Sequence, residues 1–372
     1  MIPVFKPSFG EEELEALREP FKTGWIGLGP KTREFEERFA EYIGTKFAVA
    51  LNSGTAALHL ALKVLEIEGM EVITTPMTFV STNHAVLYNN GIPVFADIEP
   101  DTLNINPIEI QKNMTSKTKA IIVVHYGGHA CDMDPILEMA KEKNISIVED
   151  AAHGCGGDYK GLKLGSIGDL ARFSFHAVKN MSTGEGGMIT TDDPELYGRL
   201  LKLRWVGISK DTWSREEKDK KYSWYYNVEE IGFKYHMNDI PAAFGLVQLK
   251  KLGKMNQRRK EITARYNEGL KDLNWLETPI VKSYAKPSHH NYVIKVEKRD
   301  LLNIYLQEKG ISTGVHYIPN NHYEMYHAFR GQTPVSDTVW TKLLTLPLFP
   351  DLKDEEVDLI IREIKEFGKR EF

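Results

Sequence analysis

The chain has 372 residues, enough for a sizeable core, and its 42% apolar and 27% charged content is that of a globular protein rather than a disordered one. A net charge of −5 offers no basic field to nucleic acid, and two cysteines, Cys131 and Cys155, cannot make a disulfide framework. The opening MIPVFKPSFGEEE shows no leader pattern, and apolar runs such as 120–124 are far too short for a membrane helix, so a cytoplasmic location is expected.

A first helix is expected near 11–21, followed by Gly24-Trp25-Ile26-Gly27-Leu28-Gly29-Pro30, a glycine-rich loop with an aromatic in it. Such a loop is either a plain turn with a packed tryptophan or the lining of a site. A helix over about 32–42 places Phe35 and Phe39 one turn apart on one face. Short apolar runs then alternate with helix-length segments, at 47–51, 72–74, 93–95, 120–124, 146–148, 172–175 and 188–190. This pattern predicts an α/β fold with a large, doubly wound, mostly parallel seven-stranded sheet, and the unbroken hydrophobicity predicts strands covered on both faces. Ligands of such sheets bind beyond the carboxyl ends of the strands.

The chemistry-bearing motifs fall at those ends. Asn52-Ser53-Gly54-Thr55 lies between the run ending at Leu51 and a helix expected over 56–65. Small residues and open N–H groups at a helix start make an anion cradle, although helix capping by Ser53 or Thr55 explains the same residues. Phe79, in Pro76-Met77-Thr78-Phe79-Val80, offers either a core side chain or a flat face for a ring. Val148-Glu149-Asp150 ends a strand in an acid, and 172–175 is followed by Lys179 and then by Gly184-Glu185-Gly186-Gly187. An acid and a lysine at two strand ends can face each other across a bound ring. Pyridoxal phosphate chemistry needs that pair: an amine to form a Schiff base with the aldehyde, and a carboxylate to keep the pyridine nitrogen protonated.

His125, His129 and Cys131, with His153 and Cys155, match no paired structural zinc spacing, and no metal is expected. No G-x-G-x-x-G follows the first strand, which argues against a dinucleotide-binding dehydrogenase. Residues 207–227 turn polar and aromatic and read as a surface insertion, whose Trp224-Tyr225-Tyr226 should cover a site or a partner subunit. A long helix is expected from about 240 toward 270. Beyond it, a strand at 291–296, a helix at 299–309, a strand at 312–317 and an amphipathic helix at 353–367 read as a small α+β unit. The expected division is a large domain over 1–250 and a small C-terminal domain over 251–372.

Nearly the whole chain resembles one family. Gly24-Trp25 with Gly29-Pro30, Asn52-Ser53-Gly54-Thr55-Ala56-Ala57-Leu58, Thr78-Phe79-Val80, Pro93-Val94-Phe95-Ala96-Asp97, Glu149-Asp150-Ala151-Ala152-His153, Ser174-Phe175-His176 through Lys179-Asn180 to Gly187, and Gly232-Phe233-Lys234-Tyr235 occur in its order. The chain is similar, on these residues, to the DegT/DnrJ/EryC1/StrS group of pyridoxal-phosphate-dependent nucleotide-sugar aminotransferases. The resemblance implies the aspartate-aminotransferase-like fold. It implies Lys179 as Schiff-base partner and proton carrier, Asp150 at the pyridine nitrogen, Phe79 stacked on the ring and His153 at the ring hydroxyl. Gly54, Thr55 and Ser174 would hold the phosphate, and Trp25 and His316 would touch the substrate.

In the resembled family the segment around 232–239 crosses a two-fold interface to the partner's phosphate. Lys234 and His236 stand where Asn and Arg are common, so a lysine point charge is expected in that role. Because Gly54, Thr55 and Ser174 supply no cation, Lys234 of a homodimer with shared sites is expected to provide it. The implied substrates are glutamate and a nucleotide-linked keto-sugar. Residues 124–128 and 346–351 look more like members that aminate C4, with C3 amination the alternative. Dehydratase members carry histidine in place of the lysine, and a regulatory role lacks a helix-turn-helix or basic face here.

Overall fold

The computed structural model describes residues 1–209, 226–329 and 332–371, so most of the expected insertion, 210–225 with Trp224 and Tyr225, lies outside the described residues. The seven apolar runs form one sheet: β1 (Phe47–Leu51), β2 (Glu71–Thr74), β3 (Ile92–Phe95), β4 (Thr118–Val124), β5 (Ser146–Asp150), β6 (Leu170–Ser174) and β7 (Gly187–Thr191). Their spatial order is β1-β7-β6-β5-β4-β2-β3. All neighbours from β6 through to β3 run parallel, whereas β7 is antiparallel to both β6 and β1. β4, β5, β6 and β7 are buried along almost their whole length, as their runs of Val, Ile, Leu and Ala require.

The helix Gly54–Val64 packs across this sheet with Leu58, Leu60, Leu62 and Val64 in one core with Val49, Val148, Leu170 and Ile189. It starts two residues earlier than the apolar pattern suggested, because Ser53 Oγ accepts from the N–H of Ala56 at 3.1 Å. The N–H groups of Gly54 and Thr55 are thereby left at the mouth of the sheet.

One helix, Asp239–Leu270, serves two cores. Its first half lays Ala242, Leu252 and Met255 against Phe35, Phe39, Phe173 and Phe175. Its second half inserts Ile262, Tyr266 and Leu270 among Tyr292, Ile294, Leu344, Ile360 and Phe367. Its start also builds the glycine-rich loop. The buried Asp239 carboxylate accepts from the N–H groups of Gly29 (3.0 Å), Lys31 (3.1 Å) and Thr32 (2.9 Å), closing the open end of the helix Pro30–Ile43 with a negative charge.

The strand expected at 312–317 is corrected. Residues 312–317 make one isolated bridge, Gly314 to Thr345, and the neighbour of Tyr292–Val296 is instead Leu343–Leu346. All four side chains of Leu343–Leu346 are buried, whereas 312–317 is half-buried throughout, so the ladder goes to the segment with more apolar surface to hide. The displaced segment carries His316 and Tyr317 to the mouth of the large sheet instead.

Candidate active site

A cavity of about 430 Å3 opens at the carboxyl ends of the central strands, within the range of about 300–1,000 Å3 usual for small-molecule sites. It is lined by Gly54, Thr55, Phe79, Asp150, His153, Ser174, Lys179 and His316, so eight of the ten residues expected from the sequence meet there. Trp25 and Lys234 do not line it. The Trp25 indole donates to Leu28 O at 3.3 Å, and the Lys234 amine lies 3.2 Å from the centre of the Trp205 ring.

The two acids that end β5 do different work because successive side chains of a strand point to opposite faces. Glu149 faces away from the cavity: its carboxylate accepts from the N–H groups of Gly165 (2.8 Å), Ile167 (2.7 Å) and Gly168 (2.8 Å) and pairs with His125 at 2.9 Å. These bonds pin the loop that leads into β6. Asp150 faces the cavity, where Oδ2 accepts from the Thr82 hydroxyl at 2.7 Å and from Arg172 Nη2, and Oδ1 accepts from the N–H of Ala152 at 3.2 Å.

Lys179 follows β6 and is half-buried, with its amine toward the same space. Enclosure away from water pushes the amine down to about 7, Arg172 adds to the effect, and Asp150 opposes it. A neutral amine with a free electron pair is therefore available near neutral pH. His153 is held well below the usual histidine range, by burial first and then by Lys179, His316 and Arg172. Its Nε2 pairs with the Tyr317 hydroxyl at 3.1 Å and its ring stacks on His290, with centroids 4.2 Å apart. His316 is likewise pushed down to about 4 by burial and by Lys179.

Whether pyridoxal phosphate fits here can be judged from the residues. The buried His153 Nδ1 has no partner among the described residues and can take a ring substituent. A Cβ on Gly54 would stand 2.9 Å from Ser174 Cβ and from Arg172 Nη1, so glycine keeps the cradle open for an anion at the helix start. Phe79 is 56% exposed, which excludes a core role and leaves its face free to cover a ring. The donor set fits the group.

Sequence reasoning passed over three members of this site. Tyr317 and Thr82 are polar residues beside motifs already noted. Arg172 is the third: Nη2 donates to Asp150, and Nη1 lies 2.9 Å from where a Cβ of Gly54 would stand. The signal was present in the sequence as a lone charge inside the apolar run of β6, two positions before Ser174 and therefore on the same face.

The model of the DegT/DnrJ/EryC1/StrS aminotransferase family matches residues 7–365. The chain belongs to this family. Spore coat polysaccharide biosynthesis protein SpsC of Bacillus subtilis is 41% identical over 380 residues, covering 99% of this chain and 97% of SpsC. Among solved structures, Spr1654 of Streptococcus pneumoniae in its PMP form is similar over 100% of both chains, with a TM-score of 0.94 and 35% identity. Helicobacter pylori PseC, an aminotransferase involved in the biosynthesis of pseudoaminic acid, is similar over 99% of each chain, with a TM-score of 0.91 and 28% identity. The fold is the pyridoxal-phosphate fold type I that the resemblance implied, and the protein is a pyridoxal-phosphate-dependent sugar aminotransferase of this family.

Proposed function

We propose that the protein moves an amino group from glutamate to the keto carbon of a nucleotide-linked sugar, at C4 of a 4-keto-6-deoxy sugar. It acts as a cytoplasmic homodimer with shared active sites. The observation that carries the reading is the meeting of Lys179, Asp150 and the Gly54 cradle around one cavity. The choice of C4 over C3 rests on residues 124–128 and 346–351, which look more like members aminating C4 than those aminating C3.

Bound in this cavity, pyridoxal phosphate supplies an aldehyde carbon that takes the amino group and a ring that accepts an electron pair. Lys179 offers a neutral amine near pH 7 that would hold the cofactor's aldehyde carbon and would carry a proton on Nζ to and from the substrate carbon. Asp150, fixed through both oxygens, holds a proton at the pyridine nitrogen. Gly54 and Thr55 N–H groups and the Ser174 hydroxyl would bind the phosphate, Phe79 would cover the ring, and His153 would meet the ring hydroxyl through Nδ1. His316, in the same cavity, contacts the substrate. Trp25 and Lys234, which stand outside this chain's cavity, make their contacts across the dimer.

Incubation of the pure protein with glutamate and a panel of nucleotide-linked 4-keto and 3-keto sugars, read by mass spectrometry, tests this reading. The expected product is an amino sugar from a 4-keto substrate. Turnover of 3-keto sugars alone moves the assignment to C3, and turnover of none of them sinks the nucleotide-sugar reading.

A further inference from the structure

We infer that Arg172 is a cation for the cofactor phosphate, supplied from within the same subunit. The inference rests on the placing of that phosphate at Gly54 and Thr55 proposed above. Arg172 is 4% exposed and sits in β6 in register with Asp150 of β5, two residues before Ser174. Alternation along the strand puts Arg172 and Ser174 on the face of the sheet from which Asp150 rises.

The guanidinium is only partly satisfied. Nη2 donates to Asp150 Oδ2, an oxygen that also accepts from Thr82. Nε is enclosed and finds no acceptor among the described residues. Nη1 faces the cradle, 2.9 Å from where a Cβ of Gly54 would stand. A guanidinium carries five donors in a rigid planar fork that matches phosphate oxygens, and leaving a buried donor unpaired is costly. Nη1 makes no hydrogen bond among the described residues, so the acceptor it lacks belongs on the Gly54 side, where the open N–H groups of the helix Gly54–Val64 already favour an anion.

Charge placement points the same way. A phosphate dianion at Gly54 would share an enclosed floor with the Asp150 carboxylate, and like charges in such surroundings repel strongly. Arg172 contacts that carboxylate and reaches the cradle, so one cation stands against both anions. Lys234 has its amine on the Trp205 ring in this chain. Arg172 thus adds a cation from the same chain to the one that Lys234 of the partner subunit would bring.

The test compares pyridoxal phosphate with pyridoxal, which lacks the phosphate, by equilibrium binding to the cofactor-free protein. Arg172→Met keeps the length of the side chain and removes the charge. It should weaken pyridoxal phosphate by about 10- to 100-fold while changing pyridoxal by less than about threefold. Inorganic phosphate should raise the melting temperature of the unaltered cofactor-free protein and should no longer do so in Arg172→Met. An equal loss for both ligands means that Arg172 acts only through Asp150, and an unchanged affinity means that it does not reach the phosphate; either result overturns the inference. If the unaltered protein binds the two ligands equally, the cradle reading itself fails and the inference falls with it. Should Arg172→Met not fold, Arg172→Lys decides the matter: with the fork lost, discrimination between the ligands should fall by about threefold or more, and unchanged discrimination overturns the inference.

Discussion

Asp150 and Arg172 stand opposite each other on adjacent parallel strands, in register, with Arg172 Nη2 donating to Asp150 Oδ2 on the floor of the cavity. The pair makes Asp150 a carboxylate fixed in place rather than a free one, and it sets Arg172 between the carboxylate and the glycine cradle. Removal of the carboxylate should then hurt far more than removal of the aromatic that covers the ring. Asp150→Ala is expected to lower kcat on the order of 10²-fold or more, since a preorganised charge is lost. Phe79→Ala should cost roughly 0.5–1.5 kcal/mol, the worth of a stacking contact. Near-normal turnover by Asp150→Ala with cofactor bound would refute the electronic role.

The lowered Lys179 amine gives a pH dependence with a definite sign. Capture of pyridoxal phosphate by the cofactor-free protein should speed up as pH rises through about 7, where the amine loses its proton, and level off above. Because Arg172 contributes to the depression, Arg172→Met should move the midpoint to higher pH. The linkage to stability follows. Above about 7 the folded lysine is neutral while the unfolded one stays charged up to about 10.4, so the unfolded chain binds more protons and stability rises with pH across that window. A capture rate that is flat from pH 6 to 9 would contradict the enclosed amine.

The proposed dimer with shared sites predicts complementation. Lys234→Ala should weaken cofactor binding while leaving the subunit folded. Mixing Lys179→Ala chains with Lys234→Ala chains should restore some activity, because one hybrid site then receives both intact residues. Full activity in a monomer, or no rescue in hybrids proven to form by native mass spectrometry, would rule out shared sites.

Asp239 should matter for stability rather than chemistry. Its carboxylate accepts three backbone N–H groups, those of Gly29, Lys31 and Thr32, and also takes the Thr32 hydroxyl at 2.8 Å. Asp239→Ala leaves these buried donors without an acceptor and should cost about 2–4 kcal/mol. A melting temperature unchanged within error would show that the loop does not depend on this contact.

The sheet was legible in the sequence because parallel strands buried on both faces leave uninterrupted apolar runs, and all seven runs became strands of one sheet. Asp150, Lys179 and the Gly54 cradle were legible because strand ends and helix starts confine where such groups can act. Residues 312–317 were misread because alternation alone cannot say which of two segments wins a ladder. Leu343–Leu346 won it through four buried side chains, a result of tertiary packing. Arg172 was missed for a similar reason. In sequence it is a charge in an apolar run, and its meaning appears only when β5 brings Asp150 alongside it in register.

The most direct test of the central claim is reduction of the cofactor-loaded protein with borohydride, followed by proteolysis and peptide mapping. The account predicts that the cofactor is fixed to the peptide containing Lys179, that the near-visible absorbance of the loaded protein is lost on reduction, and that Lys179→Ala retains no covalent label. Labelling of any other lysine, or an unlabelled Lys179 peptide in protein that turns over substrate, would contradict it.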